Sequence, residues 1–357
     1  MAVRPSVVIG LGTTGSSVTT AIYNRFKEFC EQTGEHLESI QFINIDTAEA
    51  VAGADDLKMK GRYISIALPQ AEAALQASLE FDRFMKQWWP KSYTQIGNLV
   101  DGAGTVPIHG RFAFWQGIGP GGAAEDQFLP LFNRSMVEVS KYAPDKVGQP
   151  DVYIFSTLCG GTGAGCFLDV AHMIKNDPDY GDCKIHGFIV MPDIVNMKAL
   201  PDVHTKTRSN AYGCLIELNH WLIEPDLRPL KDELTPFMKK GNETIDGDST
   251  PFHAVFMISR FNSNMRAFSD WQDYMDMLAN AGAFMMFSPA AKDVADGLNN
   301  YVTLIRSETN TTNPQPRRFG SLGAYTLRYS PERAESYLRH VMEESALGEV
   351  LRQSEVA

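Results

Sequence analysis

Ser156-Thr157-Leu158-Cys159-Gly160-Gly161-Thr162-Gly163-Ala164-Gly165-Cys166 is the stretch that decides the fold. It closes an apolar run, Asp151–Ser156, that is too short for a helix, and it opens a segment of helical period. Four glycines separated by Thr and Ala let backbone N–H groups converge on an anion. A helix N-terminus at the same place adds donors and partial positive charge. The stretch has no Lys, so it is not the GxxxxGKS/T phosphate loop. A second loop of this kind lies near the start of the chain: Gly10-Leu11-Gly12-Thr13-Thr14-Gly15, between Ser6-Val7-Val8-Ile9 and a helix carrying Val18, Ala21, Ile22, Phe26 and Phe29. Alone, this GxGxxG is either a tight strand–helix turn or a dinucleotide site. Asp46, at the end of the next strand, stands where ribose recognition would be expected. Two such loops in one chain disfavour the dinucleotide reading, which needs only one polyphosphate loop.

Outward from these loops, short apolar runs alternate with helical patterns. Strands are expected at Ile40–Ile45, Lys184–Met191, Phe252–Ser259 and Ser321–Tyr329. Helices are expected over about 69–88, through Phe128, Leu129, Phe132, Met136 and Val139, and through Tyr212, Leu215, Ile216 and Leu222. Two more run from Phe268, interrupted at Pro289, and from Pro331 onward. Further glycine-bearing loops fall at Asp101–Gly110 and Gly117–Gly122. Residues 223–250, with three prolines and a polar run, read as a surface excursion, and Ser307–Arg318 reads as a loop. The alternation predicts an α/β fold with a mostly parallel sheet flanked by helices. Such sheets bind ligands at the carboxyl ends of their strands, where the glycine loops sit.

Composition removes several alternatives. The chain has 357 residues, with 32 Lys+Arg against 43 Asp+Glu, a net charge of −11. An acidic chain lacks the basic face that nucleic-acid binding needs, so no nucleic-acid partner is expected. No apolar run approaches the ~20 residues of a transmembrane segment. Met1-Ala2-Val3-Arg4-Pro5 enters a strand at once, which leaves no room for a signal peptide. Five cysteines without a CxxC pair suit reduced thiols in a cytoplasmic protein. The histidines show no zinc-ligand spacing, and no GxSxG elbow marks a hydrolase triad.

The loops resemble those of the tubulin/FtsZ superfamily, in particular its divergent bacterial tubulin-like group. Cys159-Gly160-Gly161-Thr162-Gly163-Ala164-Gly165 is similar to the GGGTGSG or GGGTGTG signature, departing at its first and sixth positions. Val8–Gly15 looks like the superfamily's first loop, and Asn44–Ala50 like the second, NTDxQAL. Gly102–Pro107 with Gly110-Arg111 looks like the third, GAGxxPxxGxxA. Met191-Pro192-Asp193 occupies the place of the fifth loop. Met257–Asn262 resembles the lead into the central helix, and Phe319–Leu338 the start of the second domain. The resemblance implies a guanine-nucleotide domain over 1–265, a central helical region over 266–305, and over 306–357 the start of a second domain, either continued in a longer protein or truncated in a degenerate form.

The resemblance also implies ligands and roles. GTP or GDP with Mg2+ would lie across the strand ends. Gly10, Gly12, Thr13, Thr14 and Gly15 would meet the α- and β-phosphates. Gly160, Gly161, Thr162, Gly163, Ala164 and Gly165 would wrap the β-phosphate, and Ala103, Gly104 and Thr105 would sense the γ-phosphate. Asp46 either reaches the metal through water or caps the turn after it. Asp193 is a candidate for the ribose, and Asn262, Asn264 and Ser17 for the base; either Asn is equally a helix N-cap. Arg111 neutralises phosphate or is solvated. The expected partner is a second copy, in a head-to-tail polymer whose contact completes the hydrolytic site. The superfamily's acidic NxDxxD motif is missing from residues 306–318, where Glu308 is the one carboxylate and the candidate catalytic acid; Asp226, Asp232 and Glu233 lie further afield. A GTP-binding module without turnover or assembly, and an NAD-dependent oxidoreductase, are the competing readings.

Outside the loops, Trp88-Trp89-Pro90 suits a helix end packed on the sheet or a subunit contact, and Arg317-Arg318 a solvated pair or a subunit contact. Asp270, Asp273 and Asp276 alternate with apolar residues as on an amphipathic helix.

Overall fold

The computed structural model describes residues 3–48, 62–81, 85–93, 95–118, 125–143, 149–222, 239–240, 243–244, 250–262, 264–307, 319–323 and 335–345. Met1–Gly323 form one compact unit and Ala324–Ala357 a second. In the second, residues 335–345 are helical, with Tyr337, Leu338, Val341 and Met342 exposed.

The strands of the first unit are β1 (Ser6–Leu11), β2 (Ile40–Asp46), β3 (Tyr63–Ser65), β4 (Asp151–Thr157), β5 (Ile185–Val190), β6 (Lys239–Lys240), β7 (Glu243–Thr244), β8 (Ala254–Ile258) and β9 (Phe319–Gly320). Its helices are α1 (Gly12–Thr33), α2 (Ala71–Phe81), α3 (Met85–Trp88), α4 (Pro107–Gly117), α5 (Glu125–Ser140), α6 (Thr162–Lys175), α7 (Pro192–Val195), α8 (His204–Leu222), α9 (Trp271–Phe287) and α10 (Ala291–Ser307). Seven strands form one sheet in the order β3-β2-β1-β4-β5-β8-β9. All its ladders are parallel. β6 and β7 pair separately, antiparallel, within the expected excursion; the rest of 223–249 lies outside the described residues.

Continuous apolar runs are what a parallel sheet covered on both faces requires. Val7, Ile9, Ile43 and Ile154 pack with Phe112, Phe128 and Phe167 of α4, α5 and α6. Residues of opposite parity point to the other face. There Tyr23 of α1 meets Phe42 edge-on at 5.4 Å, and Phe155 stacks on Phe188 at 4.7 Å. α9 closes over α1, with Phe287 5.0 Å from Phe26. Asp270 caps α9 by accepting the Asp273 N–H at 3.0 Å.

Order reverses between β1 and β4: the chain steps from β1 to β2 on one side and later to β4 on the other. This switch point is where open α/β sheets hold ligands, at the carboxyl ends. The amino ends are closed. Arg4 bonds Asp151 at 2.6 and 2.8 Å, and His186 Nε2 lies 3.5 Å from the same carboxylate. Burial alone would raise the Asp151 carboxyl; the His186 hydrogen bond and the Arg4 charge outweigh it and hold it at about 2. All five cysteines are buried free thiols.

Two expectations change. α8 exists, but Tyr212 and Ile216 point outward, 70% and 55% exposed. Its buried stripe is Ala211, Cys214, Leu218 and Trp221, because the side facing α6 is set by tertiary contact rather than by residue size. Among the described residues the strand here is Phe319–Gly320, ahead of the expected Ser321 start: Phe319 pairs with Val255 and Gly320 with Phe256. Residues 321–323 are not strand, and 324–329 lie outside the described residues.

Candidate nucleotide site

Three helices begin at the switch point, and no side chain caps any of them. The N-caps are Leu11 for α1, Val106 for α4 and Gly161 for α6, none with a side-chain cap hydrogen bond. The first turns of a helix carry N–H groups with no intrahelical acceptor, so α1 and α6 each present a set of donors; α4 adds its dipole end but few donors, since Pro107 has no N–H and the His109 N–H donates to the Val106 carbonyl at 3.0 Å. Glycine brings them together. Gly12 has φ +69°, and a Cβ there would stand 2.9 Å from the Gly163 nitrogen, so α1 and α6 start almost in contact. A Cβ on Gly161 would meet the Ala103 Cβ at 2.5 Å, which seats the third loop on the fourth.

The remaining loop glycines and Ala164 have other work. Gly15 lies against the Phe155 carbonyl of β4, and Gly10 against the Asn44 side chain of β2. Gly165 lies against the Pro107 carbonyl and the Arg111 nitrogen of α4. These three positions are fixed by close packing, and Ala164 is part of the buried core. Gly160 has open room, with the Thr157 methyl 3.6 Å from a hypothetical Cβ.

Polar side chains tie the loops to one another. Thr13 donates to Asp46 at 2.9 Å, joining the first and second loops. The Thr47 and Thr162 hydroxyls lie 2.7 Å apart, joining the second and fourth. Burial pushes the Asp46 carboxyl up, and hydrogen bonds from Thr13 and from the backbone of Ala48 and Thr47 oppose that rise. Ser156 Oγ is buried at the end of β4 and has no hydrogen-bond partner among the described residues. In the third loop, Gly102, Gly104 and Thr105 take positive φ, +110°, +59° and +54°. For the β-branched Thr105 that conformation is strained.

Two residues of this site escape sequence reasoning. On α8, Lys206 donates to the Gly104 carbonyl at 2.9 Å. Asn210 donates to the Thr105 carbonyl at 2.8 Å and to the Cys159 carbonyl at 3.1 Å. One helix thus grips the third and fourth loops. The i, i+4 spacing of two polar residues is the sole trace in the sequence, and it is common to any amphipathic helix.

The other candidates have structural partners of their own. Asp193 accepts from Ser259 Oγ at 2.5 Å and from the Arg260 N–H at 2.7 Å, bracing the fifth loop against the end of β8. Asn262 Oδ1 accepts from the N–H groups of Asn264 and Arg266, so it shapes its own turn and caps no helix; Asn264 is exposed. Ser17 donates to the Thr13 carbonyl and Thr14 is half-buried. Arg111 is neither a phosphate neutraliser nor solvated. It forms a two-pronged pair with buried Asp169 at 3.0 and 3.2 Å and lies 4.7 Å from the Trp88 ring centre, behind the loops. Trp89 is core, its indole N–H bonded to the Tyr93 carbonyl. Glu308, Asp226, Asp232, Glu233 and the Arg317-Arg318 pair lie outside the described residues.

A parallel sheet with three glycine-built helix starts at its switch point defines the class: an α/β protein whose glycine loops gather at the carboxyl ends of its central strands. Residues 7–347 match the sequence model of the family described as "Tubulin like", and the chain belongs to that family. Among curated proteins none matches the sequence. Solved structures that align with this chain include CetZ from Methanosaeta thermophila strain DSM 6194, at 13% identity over 91% of this chain and 64% of that one, TM-score 0.45. CetZ2 from Haloferax volcanii, described as a GTPγS-bound protofilament, aligns at 13% identity over 83% of this chain and 62% of that one, TM-score 0.40. TubZ of Bacillus thuringiensis serovar israelensis, described as a GTPγS-form protofilament, aligns at 14% identity over 80% and 57%, TM-score 0.39. The chain therefore spans less than two thirds of the length of these structures.

Proposed function

We propose that this tubulin-like protein binds GTP or GDP at the switch point and assembles head to tail in a nucleotide-dependent way. The observation that carries the proposal is the convergence of three helix N-termini without side-chain caps. A polyphosphate supplies the acceptors those N–H groups lack, and an acidic chain can hold it by backbone donors without a lysine patch. Gly12, Thr13, Gly161, Thr162 and Gly163 would contact the α- and β-phosphates, with the Ser156 hydroxyl behind them. Gly104 and Thr105, positioned by Lys206 and Asn210, would face the γ-phosphate. Mg2+ is held mainly by phosphate oxygens and water in such sites. Asp46 suits an outer contact to that water, since its buried carboxylate is destabilised without a nearby cation. Asp193 and Asn262 act on this reading by shaping the ribose and base side of the site.

Hydrolysis would depend on a carboxylate brought by the next copy, with Glu308 the candidate in this chain. The missing acidic motif favours one competing reading, a GTP-binding module without turnover. The dinucleotide alternative gives the CGGTGAG loop and the uncapped start of α6 no purpose.

Heat release of ligand from purified protein, with chromatographic separation of guanine, adenine and nicotinamide species, tests the site. Guanine nucleotide is the expected result; NAD alone, with no saturable GTP binding at millimolar Mg2+, overturns it. Sedimentation with GTP against GDP tests assembly. Phosphate release per molecule that rises with protein concentration excludes the non-hydrolysing module.

A further inference from the structure

Behind the phosphate loops lies a cleft of about 380 Å³ between α4, α6 and α8, closed on one side by the Trp88–Tyr93 segment. We propose that it is a binding site for an organic cation with an apolar body. Its size falls in the range of small-molecule sites, about 300–1,000 Å³.

Three observations carry this. Gly213 lines the cleft from the interior of α8, and a Cβ there would meet nothing within 4 Å. Glycine inside a helix weakens it relative to alanine, and among the described residues no close contact requires glycine at this exposed position; a large side chain here would extend into open space beside the cleft. Trp88 Nε1 is buried at the wall and has no hydrogen-bond partner among the described residues, leaving a donor for a ligand. The charged side chains that line the cleft are Arg111 and Glu217; Arg111 is held in its two-pronged pair with buried Asp169 behind the wall, which leaves the exposed Glu217 carboxylate at the rim for a cation. A cation at Glu217 with its apolar part among Tyr93, Ile108 and Phe167 complements that lining.

The cleft is also coupled to the loops. α4 issues from the third loop and α6 from the fourth, and Asn210, on the cleft wall, grips both loops. A ligand that sets the spacing of α4, α6 and α8 sets the spacing of the loops. This coupling rests on the nucleotide reading of the switch point; the site itself does not.

Calorimetric titration with phenethylamine, protonated at neutral pH, and with uncharged 2-phenylethanol tests the site. Saturable binding of the amine is expected, at least about fivefold tighter than the alcohol. Gly213→Leu, which puts a large side chain beside the cleft, lowers amine affinity by about tenfold or more. Gly213→Ala keeps a Tm at or above that of the parent, showing that α8 tolerates a side chain. Glu217→Gln brings the amine to the affinity of the alcohol, and serves as the decisive variant should Gly213→Leu fail to fold. No saturable binding up to about 10 mM, equal affinity for amine and alcohol, or unchanged amine binding in Gly213→Leu overturns the site. For the coupling, amine affinity is measured with and without saturating GTP. A change of about threefold or more is expected, with the reciprocal change in GTP affinity. Unchanged affinity in protein that does bind GTP overturns the coupling. Protein that binds amine but no GTP removes the coupling together with the nucleotide reading, and leaves the cleft established.

Discussion

At the carboxyl ends of β1 and β4, three helices start with no side-chain cap; at the amino ends of the same strands, Arg4 and Asp151 form an ion pair and His186 Nε2 lies 3.5 Å from the same carboxylate. The strands are shared, so the difference lies in the segments that enter and leave them. One end keeps its donors open and its residues small, at a cost in strain at Thr105. The other gathers Arg4 and the His186 ring around the Asp151 carboxylate, with His186 Nδ1 left without a hydrogen-bond partner among the described residues. The contrast teaches that open backbone donors at helix starts, and not orphaned polar atoms as such, set the binding end apart.

The sharpest way to break the contrast is Asp151→Ala. It strands Arg4 and His186 and should cost about 2–4 kcal/mol in urea unfolding, while GTP affinity in surviving native protein stays within about twofold. If nucleotide affinity collapses as well, the two ends are not separable. Acid gives the next largest effect. The folded carboxyl of Asp151 sits at about 2, below its ordinary value of 3.8. Its contribution of about 2 kcal/mol is therefore complete above pH ~4 and is lost as pH falls toward ~2. The pH dependence of stability over that window should flatten in Asp151→Asn. At the other end, Gly12→Ala forces a side chain into the left-handed region and toward the Gly163 nitrogen. A loss of about 1–2 kcal/mol is expected, with at least about tenfold weaker GTP binding. The smallest effect has the opposite sign. Thr105→Gly relieves a strained φ and should raise stability by up to about 1 kcal/mol while reducing discrimination between GTP and GDP. A Thr105→Gly protein that is less stable and equally discriminating would remove the third loop from the binding end.

Much of the fold was legible because parallel strands covered on both faces read as plain apolar runs, and because glycine loops mark their ends. The first and fourth loops could be placed from residues within ten positions of each other. Arg111 could not, since its partner Asp169 comes from another helix 58 residues away. Lys206 and Asn210 were missed for the same reason: they act on carbonyls of residues 51 to 105 positions away, and a carbonyl leaves no mark in a sequence. The inward face of α8 failed because Tyr212 and Ile216 are larger than Ala211 and Cys214, yet shape, not hydrophobicity, decides what fits against α6.

The five buried thiols have a practical consequence. Burial pushes Cys30 up to about 11 and Cys159, Cys183 and Cys214 up to about 12, and raises Cys166 well above its ordinary value. Thiolate is the reactive form, so alkylating reagents should meet a silent surface until some region opens. Labelling then becomes a stopwatch for local unfolding. Cys159 and Cys166 bracket the fourth loop, whereas Cys183 precedes β5 and Cys30 lies near the end of α1. Mass spectrometry of the modified peptides, read thiol by thiol, would map which parts of the molecule breathe together, without any engineered probe.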